Sequence, residues 1–196
     1  MSYFIIDLHF SIFIGLFFIL SILGCIIDRR RNKNYFKERC ILITCFIFYI
    51  LMFIKFAILP IWIFIDAEML REMNISLNNY IQIIPFRTII KTIEIGTWKL
   101  QLLGNILLIL PIPIFIELFK GKKLSLKETI FLGFKLTISI ELIQGLINLL
   151  TRYPNKVVDV DDIILNILGV IIAHFILKIL DKFKFYQSFK QSSITQ

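Results

Sequence analysis

The chain has 196 residues, 58% of them hydrophobic and 20 of them Phe, with a net charge of +8 and a mean hydropathy of +0.82. A soluble globular domain is ordinarily nearer half apolar, so the composition excludes a typical water-soluble fold and predicts an all-α, polytopic membrane protein. The positive charge flanks apolar runs and forms no separate basic domain, which favours attraction to anionic lipid; no nucleic-acid partner is expected.

Five stretches are long enough to cross a hydrocarbon core of about 30 Å, at roughly 20 residues each. They run over Phe4–Ile27, Cys40–Ile65, Gln101–Phe119, Thr129–Leu150 and Ile163–Leu180. The first is preceded by no Lys or Arg and followed by a basic run, so it reads as an uncleaved anchor; taken as a signal sequence, it would leave four spans. Arg29, Arg30, Arg31, Lys33, Lys37 and Arg39 crowd the first connection, and Lys120, Lys122, Lys123 and Lys127 the third. Lys182, Lys184 and Lys190 follow the last span, whereas the fourth connection has only Arg152 and Lys156. Alternate loops thus agree on an outer N-terminus and a cytoplasmic C-terminus. Cys25, Cys40 and Cys45 fall toward the cytoplasmic side, where thiols stay reduced, and no CxxC pair supports a zinc site. Trp62 and Trp98 suit interfacial positions at the outer ends of spans two and three.

Three parts are expected. Residues 1–81 hold two spans and the start of an outer loop, 82–180 a core of three spans, and 181–196 a cytoplasmic tail, poorly ordered beyond Phe185. In the long second connection, Asp66–Met73 suits a short surface helix. Ile81–Phe86 suits an apolar, extended stretch that presents Arg87 to an outer pocket. Pro111 and Pro113 predict a kink in span three, opening a cavity opposite Glu141.

Polar residues inside lipid are costly and default to a site or a partner. On span four Thr137, Glu141, Gly145, Asn148 and Arg152 form one stripe, with Gln144 beside it; on span five Asp162, Asn166, Gly169 and Ala173 form another. Gly104 and Asn105 give span three a comparable face, and small residues on such faces allow close helix approach. By depth these groups belong to the outer half of the membrane. Glu141 suits a general acid or base, or else a partner of Arg87 or Arg152. Asp162 suits a ligand or the N-cap of span five. Asp159 and Asp161 could join Glu141 around a divalent cation, or lie solvated in the loop. Arg87 and Arg152 suit a carboxylate or phosphate, or internal pairing. Lys55 and Lys135 suit snorkelling or lining the interior. His9 and His174 lie too far apart for a zinc centre, and no nucleophile has a base and orienter beside it, so no metal and no cofactor are expected.

The order Ile84-Pro85-Phe86-Arg87, Asn105, Leu108 and Pro111, then Ile140-Glu141 and Gln144, then Arg152, Asp159, Asp162, Asn166 and Gly169 resembles the VanZ-like family. The likeness covers roughly residues 82 to 180. Gln82, Ile109, Pro113 and Ala173 depart from the family's usual Asn, Phe, Gly and Gly. The resemblance implies an envelope protein of the bacterial cell membrane, linked in some members to glycopeptide (teicoplanin) resistance, and supplies no reaction. The expected ligand set is Arg87, Asn105, Glu141, Gln144, Arg152, Asp159, Asp162 and Asn166, facing a membrane lipid or a lipid-linked wall precursor. An accessory, non-enzymatic role leads; an enzyme with Glu141 as acid–base and a small lipid transporter are the alternatives.

Overall fold

Long uninterrupted apolar runs leave the backbone no solvent to bond with, and the chain answers with helices that satisfy themselves. The computed structural model describes residues 3–31, 36–73 and 75–194; Lys33 of the first connection lies outside them, as do the last two residues of the tail. It is 74% helical, with five helical stretches long and apolar enough to span a membrane. These are Phe10–Arg29, Phe36–Ala57, Gln101–Lys120, Leu126–Thr151 and Val160–Leu180.

Two helices begin or end short of the spans that the sequence predicts. Tyr3–Ile6 is a strand, β1, paired antiparallel with β2 (Ile61–Phe64), so that Phe4 faces Ile63 and Ile5 faces Trp62. Helix α1 therefore occupies Phe10–Arg31 and α2 Phe36–Ala57. Short apolar runs bounded by Asp7 on one side and Pro60 on the other have no periodicity to separate strand from helix. Lys55 on α2 reaches the Asp7 carboxylate at 3.3 Å and the Leu8 carbonyl at 2.9 Å, which ties the ribbon to the helix pair.

The second connection forms α3 (Ala67–Glu72), a 3-10 turn at Leu77–Asn79, β3 (Ile81–Gln82) and α4 (Arg87–Glu94). The third span is α5 (Trp98–Ile109) followed by α6 (Pro111–Lys120), broken at Leu110 as Pro111 requires. Among the described residues the break is packed on its inner side. Ile109 is fully buried there, packed with Ala57, Ile140 and Val170, and the Tyr49 hydroxyl donates to the Leu108 carbonyl at 2.7 Å. Helix α7 (Leu126–Thr151), strand β4 (Val158–Asp159) and α8 (Val160–Leu180) follow. Helix α8 is central, packing against α5 and α7. A Cβ at Gly169 would lie 2.3 Å from the Ile106 carbonyl oxygen, and one at Gly133 would lie 2.5 Å from Val170, so small residues set both crossings. Outward, Phe10, Phe18 and Ile22 on α1 and Leu142, Leu146 and Leu149 on α7 stay exposed, an apolar surface suited to lipid.

The segment expected as a disordered tail is instead α9 (Lys184–Ile194). Its Tyr186 and Phe189 join Leu42, Leu118 and Leu177 in a second core, and Lys190 meets Glu117 and Asp181, each at 3.3 Å. Arg39 binds Asp28 and donates to the Ser193 hydroxyl. The end of α1, the start of α2, the third connection and the C-terminal helix thus gather at one end of the bundle. The second and fourth connections gather at the other, where the Asn155 carboxamide brackets Trp62 and β3 lies parallel to β4.

Candidate functional site

The end opposite the lysines is built from buried carboxylates that hold backbone. Phe86 follows Pro85 with φ 67, a left-handed turn that reverses the chain into α4. That turn aims the first amides of α4 at α8, where Asp161, 0% exposed, accepts from Phe86 at 2.5 Å, Thr88 at 2.8 Å and Ile89 at 3.1 Å. A carboxylate taking three N–H donors at a helix start is compensated for its burial.

Asp159, and not Asp162, is the N-cap of α8. It sits in extended conformation at the end of β4 and accepts from the Asp161 amide at 2.8 Å. Its carboxylate also accepts from the Thr88 hydroxyl at 2.5 Å and the Gln82 amide at 3.2 Å. Glu141 in turn accepts from the Asp159 backbone N–H at 2.9 Å and is buried. Glu141 and Asp161 are therefore committed to backbone amides. Among the described residues no group of His, Cys, Asp and Glu is arranged to hold a metal.

These contacts surround a cavity of about 470 Å³. Arg87, Lys91 and Lys156 bring positive charge to its wall, Asp159 and Asp162 negative charge, and Gln82, Thr88, Thr92, Gln101 and Gln144 neutral polar groups. Among the described residues no carboxylate pairs with Arg87 or Lys91. Burial pulls the Lys156 ammonium below its ordinary value of 10.5, against the opposing charge of Asp162. An amine desolvated in this way gains from an added anion.

Of the expected set, Arg87, Gln144, Asp159 and Asp162 line the cavity, and Asn105 stands behind Asp162, donating to its carboxylate. Gln144 also donates to the Ala57 carbonyl at 2.8 Å, and its own oxygen has no partner among the described residues. Glu141 and Asn166 lie between helices, Asn166 donating to the Thr137 hydroxyl at 2.9 Å. Arg152 is elsewhere. Helix α7 ends at Thr151 and Arg152 takes φ 55, so the helical stripe does not extend to it. Its carbonyl accepts from the Tyr80 hydroxyl at 2.9 Å, and its side chain borders a separate, apolar cavity with Leu149 and Val158.

Lys91, Thr88, Thr92 and Lys156 were not anticipated. Arg87 and Lys91, like Thr88 and Thr92, are one helical turn apart, and that spacing marks a polar face once residues 87–94 are read as a helix. Lys156 carries no such signal: Asn148 fixes it, accepting from the Asn155 and Lys156 amides at 2.9 and 3.3 Å and donating to the Lys156 carbonyl at 2.5 Å. A family model described as VanZ/LLP1 matches residues 46–181, which include every residue of this wall. No curated protein and no solved structure matches the chain.

Proposed function

The chain belongs to the VanZ/LLP1 family, and from that membership we propose an accessory protein of the bacterial cell membrane that lowers sensitivity to glycopeptide antibiotics, teicoplanin above all. In this reading the cavity faces outward and binds the anionic part of a membrane lipid or lipid-linked wall precursor. The observation that carries it is the cavity wall, where Arg87 and Lys91 have no carboxylate partner among the described residues and stand with the half-buried Lys156. A guanidinium and two ammonium groups outnumber the two carboxylates, Asp159 and Asp162, and both carboxylates already accept hydrogen bonds.

The orientation is supported by the Lys and Arg content of the other end, which favours the cytoplasmic side for it. An enzyme using Glu141 as acid–base is less well supported, because Glu141 is buried behind Asp159 and holds its amide. In a susceptible host expressing the chain at matched levels, Arg87→Gln with Lys91→Gln is expected to abolish the protection against teicoplanin. Arg152→Gln, which lies off the cavity, is expected to retain it. Full protection by the Arg87/Lys91 double variant would sink the proposal.

A further inference from the structure

The lysine-rich end holds a second cavity, of about 420 Å³, between the start of the α6–α7 connection and the end of α8. Lys123, Lys178 and Lys182 line it together with Glu117, Asp181 and His174. The carboxylates are already engaged. Glu117 accepts from the Leu124 amide at 2.6 Å and from Lys190 at 3.3 Å, while Asp181 takes Lys123 at 2.7 Å and Lys190 at 3.3 Å. With Lys190, which reaches both carboxylates without lining the cavity, four lysines stand against two carboxylates, an excess of two positive charges. Lys178 on the closing turn of α8 and Lys182 in the turn that follows it form no ion pair among the described residues. His174, one turn before Lys178, is 8% exposed, and its Nδ1 has no hydrogen-bond partner among the described residues. A buried imidazole nitrogen without a partner is a costly feature unless something else bonds to it.

We propose that this cavity is a phosphate-binding site, distinct from the one at the opposite end, in which Lys178 and Lys182 take the charge of a phosphate and His174 lies at its floor. The proposal does not rest on the antibiotic-related reading above. At the end of a membrane bundle the ligand is either the phosphodiester of an anionic phospholipid or a free phosphate from the aqueous side; both present the same oxygens to the same lysines.

The full chain, extracted in mild detergent from bilayers of equal phosphatidylglycerol and phosphatidylcholine, can be tested for retained lipid by native mass spectrometry. The wild type is expected to hold phosphatidylglycerol about tenfold in preference, a difference of about 1.4 kcal/mol. Lys178→Gln/Lys182→Gln is expected to lose that preference. Lys120→Gln/Lys127→Gln, which removes equal charge from exposed positions outside the cavity, is expected to keep it. Without lipid preference, a rise in melting temperature with inorganic phosphate that Lys178→Gln/Lys182→Gln abolishes assigns the site to free phosphate. Equal loss in the two double variants reduces the effect to general surface attraction and overturns the site. So does a wild type indifferent to both phosphatidylglycerol and inorganic phosphate.

Discussion

Glu141, Asp159 and Asp161 show what buried carboxylates do in this protein: each accepts a backbone N–H that would otherwise be orphaned. Their types and order are legible in the sequence, but their partners are not, because the amides they satisfy lie 18 residues away for Glu141 and more than 70 away for Asp161. The role of Glu141 makes a clear prediction. Glu141→Gln keeps an oxygen that can accept from the Asp159 amide, so stability, and the proposed protection against teicoplanin, are expected to persist. Glu141→Leu leaves that amide unpaired and is expected to cost about 1–3 kcal/mol, read as a lower melting temperature in detergent. Loss of protection in a stable Glu141→Gln variant would show instead that the proton of Glu141 is needed. Asp159 displaced Asp162 as cap because β4 ends one residue before α8, a boundary set by pairing with β3. That pairing joins residues 77 apart and leaves no local trace.

Among the elements, the five long helices were readable from apolar length alone, since no shorter structure serves a stretch that lies in lipid. Their ends were not. The β1–β2 ribbon took residues from two expected spans, and α9 took a polar segment whose Tyr186, Phe189 and Lys190 make sense only against α6 and α2. At the α5–α8 crossing a Cβ on residue 169 would lie 2.3 Å from the Ile106 carbonyl oxygen, so the approach needs Gly169. Gly169→Ala is expected to force the Ile106 backbone away, destabilising the bundle by about 1–3 kcal/mol. Gly104→Ala, where a Cβ meets nothing within 4 Å, is expected to change the melting temperature little. Equal melting temperatures for the two variants would mean that α5 and α8 are not in close contact. The kinked segment at Pro111 is held by the packing of Ile109 against Ala57, Ile140 and Val170.

Across the whole molecule, charge separates the ends: basic connections and α9 at one, the carboxylate-built cavity at the other. In a cysteine-free background (Cys25, Cys40 and Cys45 replaced), Ser76→Cys is expected to react with a membrane-impermeant maleimide in intact cells. Lys122→Cys is expected to react only after permeabilisation. The reverse pattern would invert the orientation and place the Arg87–Lys91 cavity in the cytoplasm. By itself, the sequence determined the membrane class, the number of helices that can span and the identity of the family. These depend on apolar length and on residue types in a fixed order, both local properties. Only the tertiary structure decided which polar groups line a cavity and which are spent on packing. It placed Lys91 and Lys156 beside Arg87, set Arg152 apart and buried Glu141, because a side chain's access to a ligand depends on what distant backbone has already claimed.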